Sequence, residues 1–421
     1  MSRIENDFLG SLEIPDDVYY GVQTMRGKQN FHITEMPMSQ EPFFAIAFAY
    51  VKKAAALTNK ELGTIPADVA DALVWACDQL IAGKYNDQFV TDWLQGGAGT
   101  STNMNCNEVI CNLACEHLGL AKGDKKVSPN DHANFGQSTN DTYPTALHLS
   151  LILRSNVLVK AVEDLVASFY KQAEKTKDVL KMGRTHLQDA VPMSFAQEFH
   201  GWGTTIGDEI KTIREAQEHL KVVNLGAILR TAELLLEVNL GATAIGTTVT
   251  CHPEYPAKAV KRLAELTGIP FVNSDDLIAA TSDCGAYVAL SSACKSLAVK
   301  LTKVCNDLRL LASGPRTGLG EIVLPQLNLP PRQPGSSIMP GKVNPVIPEV
   351  TNQAAFLAIG LDTSVMLAAS AGQLELNVME PVISFALYMQ MKVLTNSCNA
   401  LREKCIDGIV VNAKHCEDLV M

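Results

Sequence analysis

Hydrophobic and polar positions divide this chain into an interrupted N-terminal part and a long helical remainder. Over residues 1–40 no period holds, because Gly10, Pro15, Gly21 and Pro37 break each stretch before a face can form. From about 43 to 84 apolar residues recur every three and four positions, which predicts helix. Residues 85–107 read as loop, with Gln95-Gly96-Gly97-Ala98-Gly99-Thr100-Ser101 at the centre and Asn103 and Asn105 beyond. A second polar loop covers 128–132 and resumes at Gln137-Ser138-Thr139-Asn140-Asp141-Thr142-Tyr143-Pro144. After Pro144 the spacing changes. Leu149, Ile152, Leu153, Val157, Leu158, Val162, Leu165, Val166 and Phe169 mark one long amphipathic helix. Similar patterns occupy roughly 194–238, 276–313, 346–371 and 377–407.

Helices of that length, with few alternating runs, predict a mainly α fold. We expect an N-terminal mixed helical and loop domain over 1–138, then a central long-helix bundle over 139–413. Residues 354–359 and 365–371 are apolar nearly all round, which predicts helices packed between subunits. The string Val223-Asn224-Leu225-Gly226-Ala227 recurs as Val238-Asn239-Leu240-Gly241-Ala242, fifteen residues later. That offset is about 4.2 helical turns, so both copies cannot present one face without a kink. A single extra copy reads as a local duplication, not a repeat architecture.

Composition narrows the class. The 421 residues are 47% hydrophobic and 19% charged, a globular balance large enough for a substantial core. A net charge of −10 argues against nucleic acid, and makes isolated Lys and Arg in polar loops worth notice. Eleven cysteines at irregular spacing, the densest being Cys106, Cys111 and Cys115, read as reduced, buried thiols. The N-terminus has no apolar signal region, and the longest apolar stretch, 43–51, is too short to span a bilayer. A soluble, cytoplasmic protein is therefore expected.

Four polar patches carry the candidate chemistry. The run Gly335-Ser336-Ser337-Ile338-Met339-Pro340-Gly341-Lys342-Val343-Asn344 gathers two hydroxyls, a cation and a carboxamide in one shaped loop. Backbone N–H groups near such glycines stabilise an oxyanion, and a lysine anchors a carboxylate. That set suits removal of a proton beside a carboxylate. Thr100 and Ser101 form a second patch, and Ser138, Thr139 and Asn140 a third. These groups orient a small acid without adding charge, and they equally suit helix capping. The fourth patch is Gly183-Arg184-Thr185-His186-Leu187-Gln188-Asp189-Ala190, a polar loop holding the one histidine of nine set among so many polar neighbours. Histidine there orients a carboxylate or relays a proton. Zinc-ligand, EF-hand and phosphate-loop patterns are missing, so neither a metal nor a nucleotide cofactor is expected.

Together these patches resemble the aspartase/fumarase superfamily. Its broad signature, Gly-Ser-x-x-Met-x-x-Lys-x-Asn, is matched by Gly335, Ser336, Met339, Lys342 and Asn344, and the likeness runs from Tyr19-Tyr20-Gly21 to Glu380-Pro381. It is closest to the aspartate ammonia-lyase branch, through Gln95-Gly96-Gly97-Ala98-Gly99-Thr100-Ser101 and through the stretch ending Asn377-Val378-Met379-Glu380-Pro381. The resemblance implies reversible deamination of L-aspartate to fumarate and ammonia through an aci-carboxylate, without a cofactor or metal. It implies Ser336 as the base that removes the Cβ proton, and Thr100, Ser138 and Thr139 as holders of the β-carboxylate. Thr185, His186, Lys342 and Asn344 would hold the α-carboxylate, with Asn140 and His186 near the amino group. Ser101 and Ser337 would add contacts, and Arg26 is a further substrate-binding candidate. The family arrangement implies a homotetramer whose active sites draw on three subunits. Fumarase, and a folded but inactive relative, remain alternatives. The chain departs from the pattern in the duplication, in a lengthened 324–334 segment, and in 414–421, which reads as the stub of a truncated C-terminal domain.

Overall fold

A computed structural model describes residues 1–225, 245, 251–314, 316–324 and 343–421. The first half runs β1 (Ser2–Asp7), β2 (Gly10–Pro15), α1 (Val22–Asn30), α2 (Pro42–Glu61), α3 (Ala67–Ile81), α4 (Thr100–His117), α5 (Thr139–Lys175), β3 (Leu180–Thr185), β4 (Gln188–Ser194) and α6 (Phe195–His219). There follow β5 (Val222–Val223), α7 (Tyr255–Thr267), β6 (Val272–Asn273), α8 (Leu277–Ser282), α9 (Gly285–Leu311), β7 (Ile322–Val323), α10 (Val346–Ser370), α11 (Glu380–Lys404), β8 (Val410–Val411) and α12 (Ala413–Val420). The fold is mainly α, as the periodicity predicts. Strands occur only as two-stranded pairs among the described residues, β5–β6 parallel and the others antiparallel.

The chain forms two compact units, each discontinuous in sequence. The first comprises Met1–Arg154, Gln217–Val288 and Ser364–Tyr388. Its core is aromatic: Phe44 lies 5.1 Å from Phe48 and 5.2 Å, edge to face, from Tyr143, while Trp93 lies 5.2 Å from Tyr388. Such geometry adds about 1 kcal/mol per pair beyond the area buried. The second unit comprises Ser155–Ala216, Ala289–Thr363 and Met389–Met421. Phe169, Phe195, Phe199 and Trp202 close its core. Ser291 and Lys295 of α9 donate to Asp362 of α10, and Gln390 of α11 donates to Ala358 O of α10.

Several local expectations are revised. Residues 1–40 contain a hairpin and a helix, because their apolar spacing is too short to show a period yet the strands pair in full register. The 43–84 helix is two, divided at Gly63 (φ +69°) and Pro66. The 194–238 helix ends at His219, and 276–313 divides into α8 and α9. The 85–107 loop gives way to helix at Thr100. Asparagines are poor helix formers, but in α4 they serve as surrogates for missing backbone partners. Asn105 bonds both Gln88 O and Val90 N, and Asn112 bonds Tyr19 O and Gly123 N. Tertiary bonding therefore overrides the local preference.

Among the described residues two helices, α5 and α10, are long and apolar enough to cross a membrane, which the longest unbroken apolar run did not anticipate. The apolar window of α5 is 67% buried inside the chain, that of α10 only 22%. Of the duplicated string, Val223, Asn224 and Leu225 are buried in the first unit; residues 226–242 lie outside the described residues.

Candidate active site

In the first unit, two patches meet at helix N-termini. The turn into α4 uses Gly97 (φ +84°), Ala98 (φ +55°) and Gly99 (φ +90°). Gly99 is required twice over, since a Cβ there would overlap the Tyr143 ring as well as strain the backbone. The turn sets Thr100 as the first residue of α4, exposed, with its hydroxyl donating to Gly97 O at 2.6 Å. Ser101 is half-buried against Gly27 of α1.

Ser138 precedes α5 and closes a capping box. Its hydroxyl accepts the Asn140 N–H at 3.2 Å, and Asp141 Oδ1 accepts the Ser138 N–H at 2.9 Å. The capping reading therefore holds, and it leaves the Ser138 hydroxyl hydrogen free of that bond. Pro144 removes the N–H that the Asn140 carbonyl would receive, and Asn224 Nδ2 takes its place at 3.2 Å. A buried link joins the two patches: Asn103 Nδ2 donates to Thr139 Oγ1 at 3.0 Å. Thr100, Ser101, Ser138, Thr139 and Asn140 thus belong to one connected region of this unit.

Thr185 and His186 belong to the second unit, where the polar loop is revised to a β-hairpin. Thr185 pairs with Gln188, so His186 and Leu187 form a two-residue tip. Both are left-handed, φ +55° and +61°, as the tight hairpin turn demands. Neither is Asn or Gly, so this tip stores strain of the kind found at functional positions. Thr185, His186 and Leu187 are all exposed. Along β3, Lys181 near the open end and Arg184 next to the tip both pair with Glu321, and Lys181 also pairs with Glu198. Glu321 is 0% exposed and lies beside β7, just before the 325–342 segment. Asn344, in the same unit, is exposed two residues before α10, its carbonyl 2.8 Å from Val346 N. Ser336, Ser337 and Lys342 lie outside the described residues.

Arg26 is committed elsewhere: its guanidinium binds Asp7 through Nε at 2.7 Å and Nη2 at 2.8 Å and holds that carboxyl below its usual range. All eleven cysteines are free thiols, ten of them buried, and burial pushes Cys106 up to about 12. Among the described residues no cluster of His, Cys, Asp and Glu is arranged to hold a metal ion.

Glu380, within the stretch quoted above, is buried, and desolvation lifts it to about 8 against a single hydrogen bond, from Tyr287 Oη at 3.3 Å. The folded chain then keeps this proton over a range, from about 4.5 to 8, where the unfolded chain has released it. Stability from this group falls as pH rises through that window. Glu380→Gln is therefore expected to unfold at higher denaturant than the parent at pH 8, with the gap closing below pH 4.5. Equal midpoints at both pH values would show that Glu380 carries no such cost.

Sequence reasoning missed Lys52, Asn134 and the donor role of Asn103. The available signal was Lys52 itself, which shares a helical face with Phe48, Ala45, Ala55 and Ala56.

The comparisons with known proteins agree in direction. A lyase family model matches residues 10–360. Aspartate ammonia-lyase of Pseudomonas aeruginosa is 51% identical over 420 residues, covering 100% of this chain and 85% of that protein. The Escherichia coli enzyme of the same name is 53% identical, covering 99% and 84%. Among solved structures, a fumarate lyase:delta crystallin from Brucella melitensis superposes with a TM-score of 0.92 at 43% identity, covering 100% of this chain and 87% of that one. With half its positions shared along its whole length and the same fold, this chain belongs to the aspartase/fumarase family of lyases.

Proposed function

We propose that the chain is an aspartate ammonia-lyase, a C–N lyase that converts L-aspartate reversibly to fumarate and ammonia. The observation that carries this is identity of about half the residues with enzymes of that name over the entire chain. Chemically, the Cβ proton goes to a base, its electron pair enters the β-carboxylate as an aci-carboxylate, and that pair returns to form the double bond as ammonia leaves.

In this reading Ser336 is the base. Thr100, Ser138 and Thr139 hold the β-carboxylate, with Ser101 beside them. Thr185, His186, Lys342 and Asn344 hold the α-carboxylate, Asn140 and His186 face the amino group, and Ser337 adds a contact. Two hydrogen bonds support the assignment of donors. Ser138 Oγ accepts from Asn140 and Thr139 Oγ1 accepts from Asn103, so each hydroxyl keeps its hydrogen for an anion. Thr100 must release Gly97 O to do the same.

The enzyme acts as a homotetramer with shared sites, in the cytoplasm, with 1–138 and 139–413 as its domains. The apolar residues that α10 leaves exposed, among them Phe356, Leu357, Met366 and Leu367, support burial against other copies. The strained, exposed His186 tip suits a hairpin that completes a neighbour's site. The test supplies L-aspartate and L-malate side by side and follows fumarate by absorbance, with assembly size measured on the same sample. Fumarate from L-aspartate alone, by a tetramer, is the expected result. Fumarate from L-malate alone makes it a fumarase, and a tetramer inert on both makes it a non-catalytic relative.

A further inference from the structure

Lys52 lies in the middle of α2 with 2% of its surface exposed. Its ammonium has hydrogens to donate and no lone pair to accept with. It donates to Asn134 Oδ1 and to Gln137 Oε1, each at 3.0 Å. The same Asn134 oxygen receives Asn103 Nδ2 at 3.1 Å and Asn107 Nδ2 at 3.2 Å. Asn103 Nδ2 uses its second hydrogen on Thr139 Oγ1. The direction of every bond in this series follows from the first. A cation at Lys52 compels the Asn134 amide to face it with oxygen, which compels Asn103 to answer with nitrogen. That nitrogen in turn makes the Thr139 oxygen an acceptor and turns its hydrogen outward.

We propose that Lys52 is a positioning residue for the deamination: through Asn134 and Asn103 it holds the Thr139 hydroxyl as a donor to the substrate carboxylate. The role rests on the functional reading above and adds a residue 87 positions from Thr139 to its machinery. Burial supplies a signature. Desolvation lowers Lys52 to about 8, and the groups facing it are Cys77 of α3, Cys106 and Cys111 of α4, and Asp141 of α5. Burial raises the three thiols, which keeps them neutral, so Asp141 is the counter-charge. Once the ammonium loses its proton, the amine accepts as well as donates, and the direction of the series is no longer imposed.

The test uses the full chain and the variants Lys52→Met, Thr139→Val and the double substitution. Loss of one oriented hydrogen bond corresponds to about tenfold. Lys52→Met is expected to lower kcat/KM for L-aspartate about tenfold, raising KM and reducing kcat because the same carboxylate takes up the charge in the transition state, and to remove the limb near pH 8 from the kcat/KM profile. Adding Thr139→Val to it is expected to cost less than Thr139→Val costs in the parent. An unchanged KM and pH profile, or penalties that multiply in full, would overturn the proposal. If Lys52→Met fails to fold, Asn103→Ala cuts the next link and leaves the Lys52 bonds in place. Its KM rising together with non-additivity against Thr139→Val supports the proposal, and a parental KM overturns it. A parent chain inert on L-aspartate defeats the functional reading itself, and this role with it, before any variant is compared.

Discussion

Replacing Ser336 with alanine is expected to lower kcat for fumarate release from L-aspartate by about 10²–10⁴-fold, the range a positioned base supplies. The argument begins with the acid to be ionised. A C–H bond beside a carboxylate gives up its proton only where the resulting charge is met by fixed donors. Serine is a weak base at its ordinary pKa, so in the proposed reading its alkoxide would need the same help, of the kind that the N–H groups and the lysine of the 335–344 run can supply. In that reading alanine would remove the oxygen proposed to take the proton while keeping the proposed carboxylate anchors. KM is expected to move little while kcat falls. Circular dichroism and the melting midpoint are expected to match the parent, since the substitution removes a single hydroxyl oxygen. A parental rate in this variant would remove Ser336 from the mechanism, and an altered spectrum would mean the loss reports folding.

Replacing Glu321 with alanine is expected to lower unfolding free energy by about 3–5 kcal/mol, the cost of leaving a buried cation without its partner. Glu321 has no exposed surface and Lys181 is 3% exposed. Lys181 retains Glu198, but Arg184 retains, among the described residues, the Met182 carbonyl at 3.3 Å and the exposed Asp189 at 3.7 Å. Glu321→Gln keeps the shape and one acceptor, so it should cost less, about 1.5–3 kcal/mol for the charge-assisted part. Denaturant unfolding of both variants checks the order. A loss under about 1 kcal/mol for alanine would mean that Lys181 and Arg184 find water or other anions instead. Activity should fall as well, because Arg184 directly precedes Thr185 and His186 at the hairpin tip.

The long helices were legible because their information is local. In α5 and α11 apolar residues return every three or four positions, and burial follows that stripe: Leu149, Ile152, Leu165 and Phe169 are all inside. The helix cap at Ser138 to Asp141 was legible for the same reason, since its whole set of groups lies within a few residues. The local reading stopped where a polar side chain is satisfied far along the chain. The Asn-rich start of α4 looks like loop until Gln88, Tyr19 and Gly123 are seen to take its side-chain bonds. The fourth patch looks like loop until Leu180–Thr185 meets Gln188–Ser194, because one hairpin is too short to show its own period.

By itself, then, the sequence determined a mainly helical lyase scaffold and the polar patches that carry its candidate chemistry. Tertiary structure alone decided which polar groups are buried together, and in which direction each hydrogen bond runs. Asn134 and Gln137 lie 82 and 85 residues from Lys52, beyond the reach of any periodicity. The physical reason is that an apolar stripe needs only some partner surface, whereas a buried cation needs particular oxygens at about 3 Å, and only the folded chain brings them there.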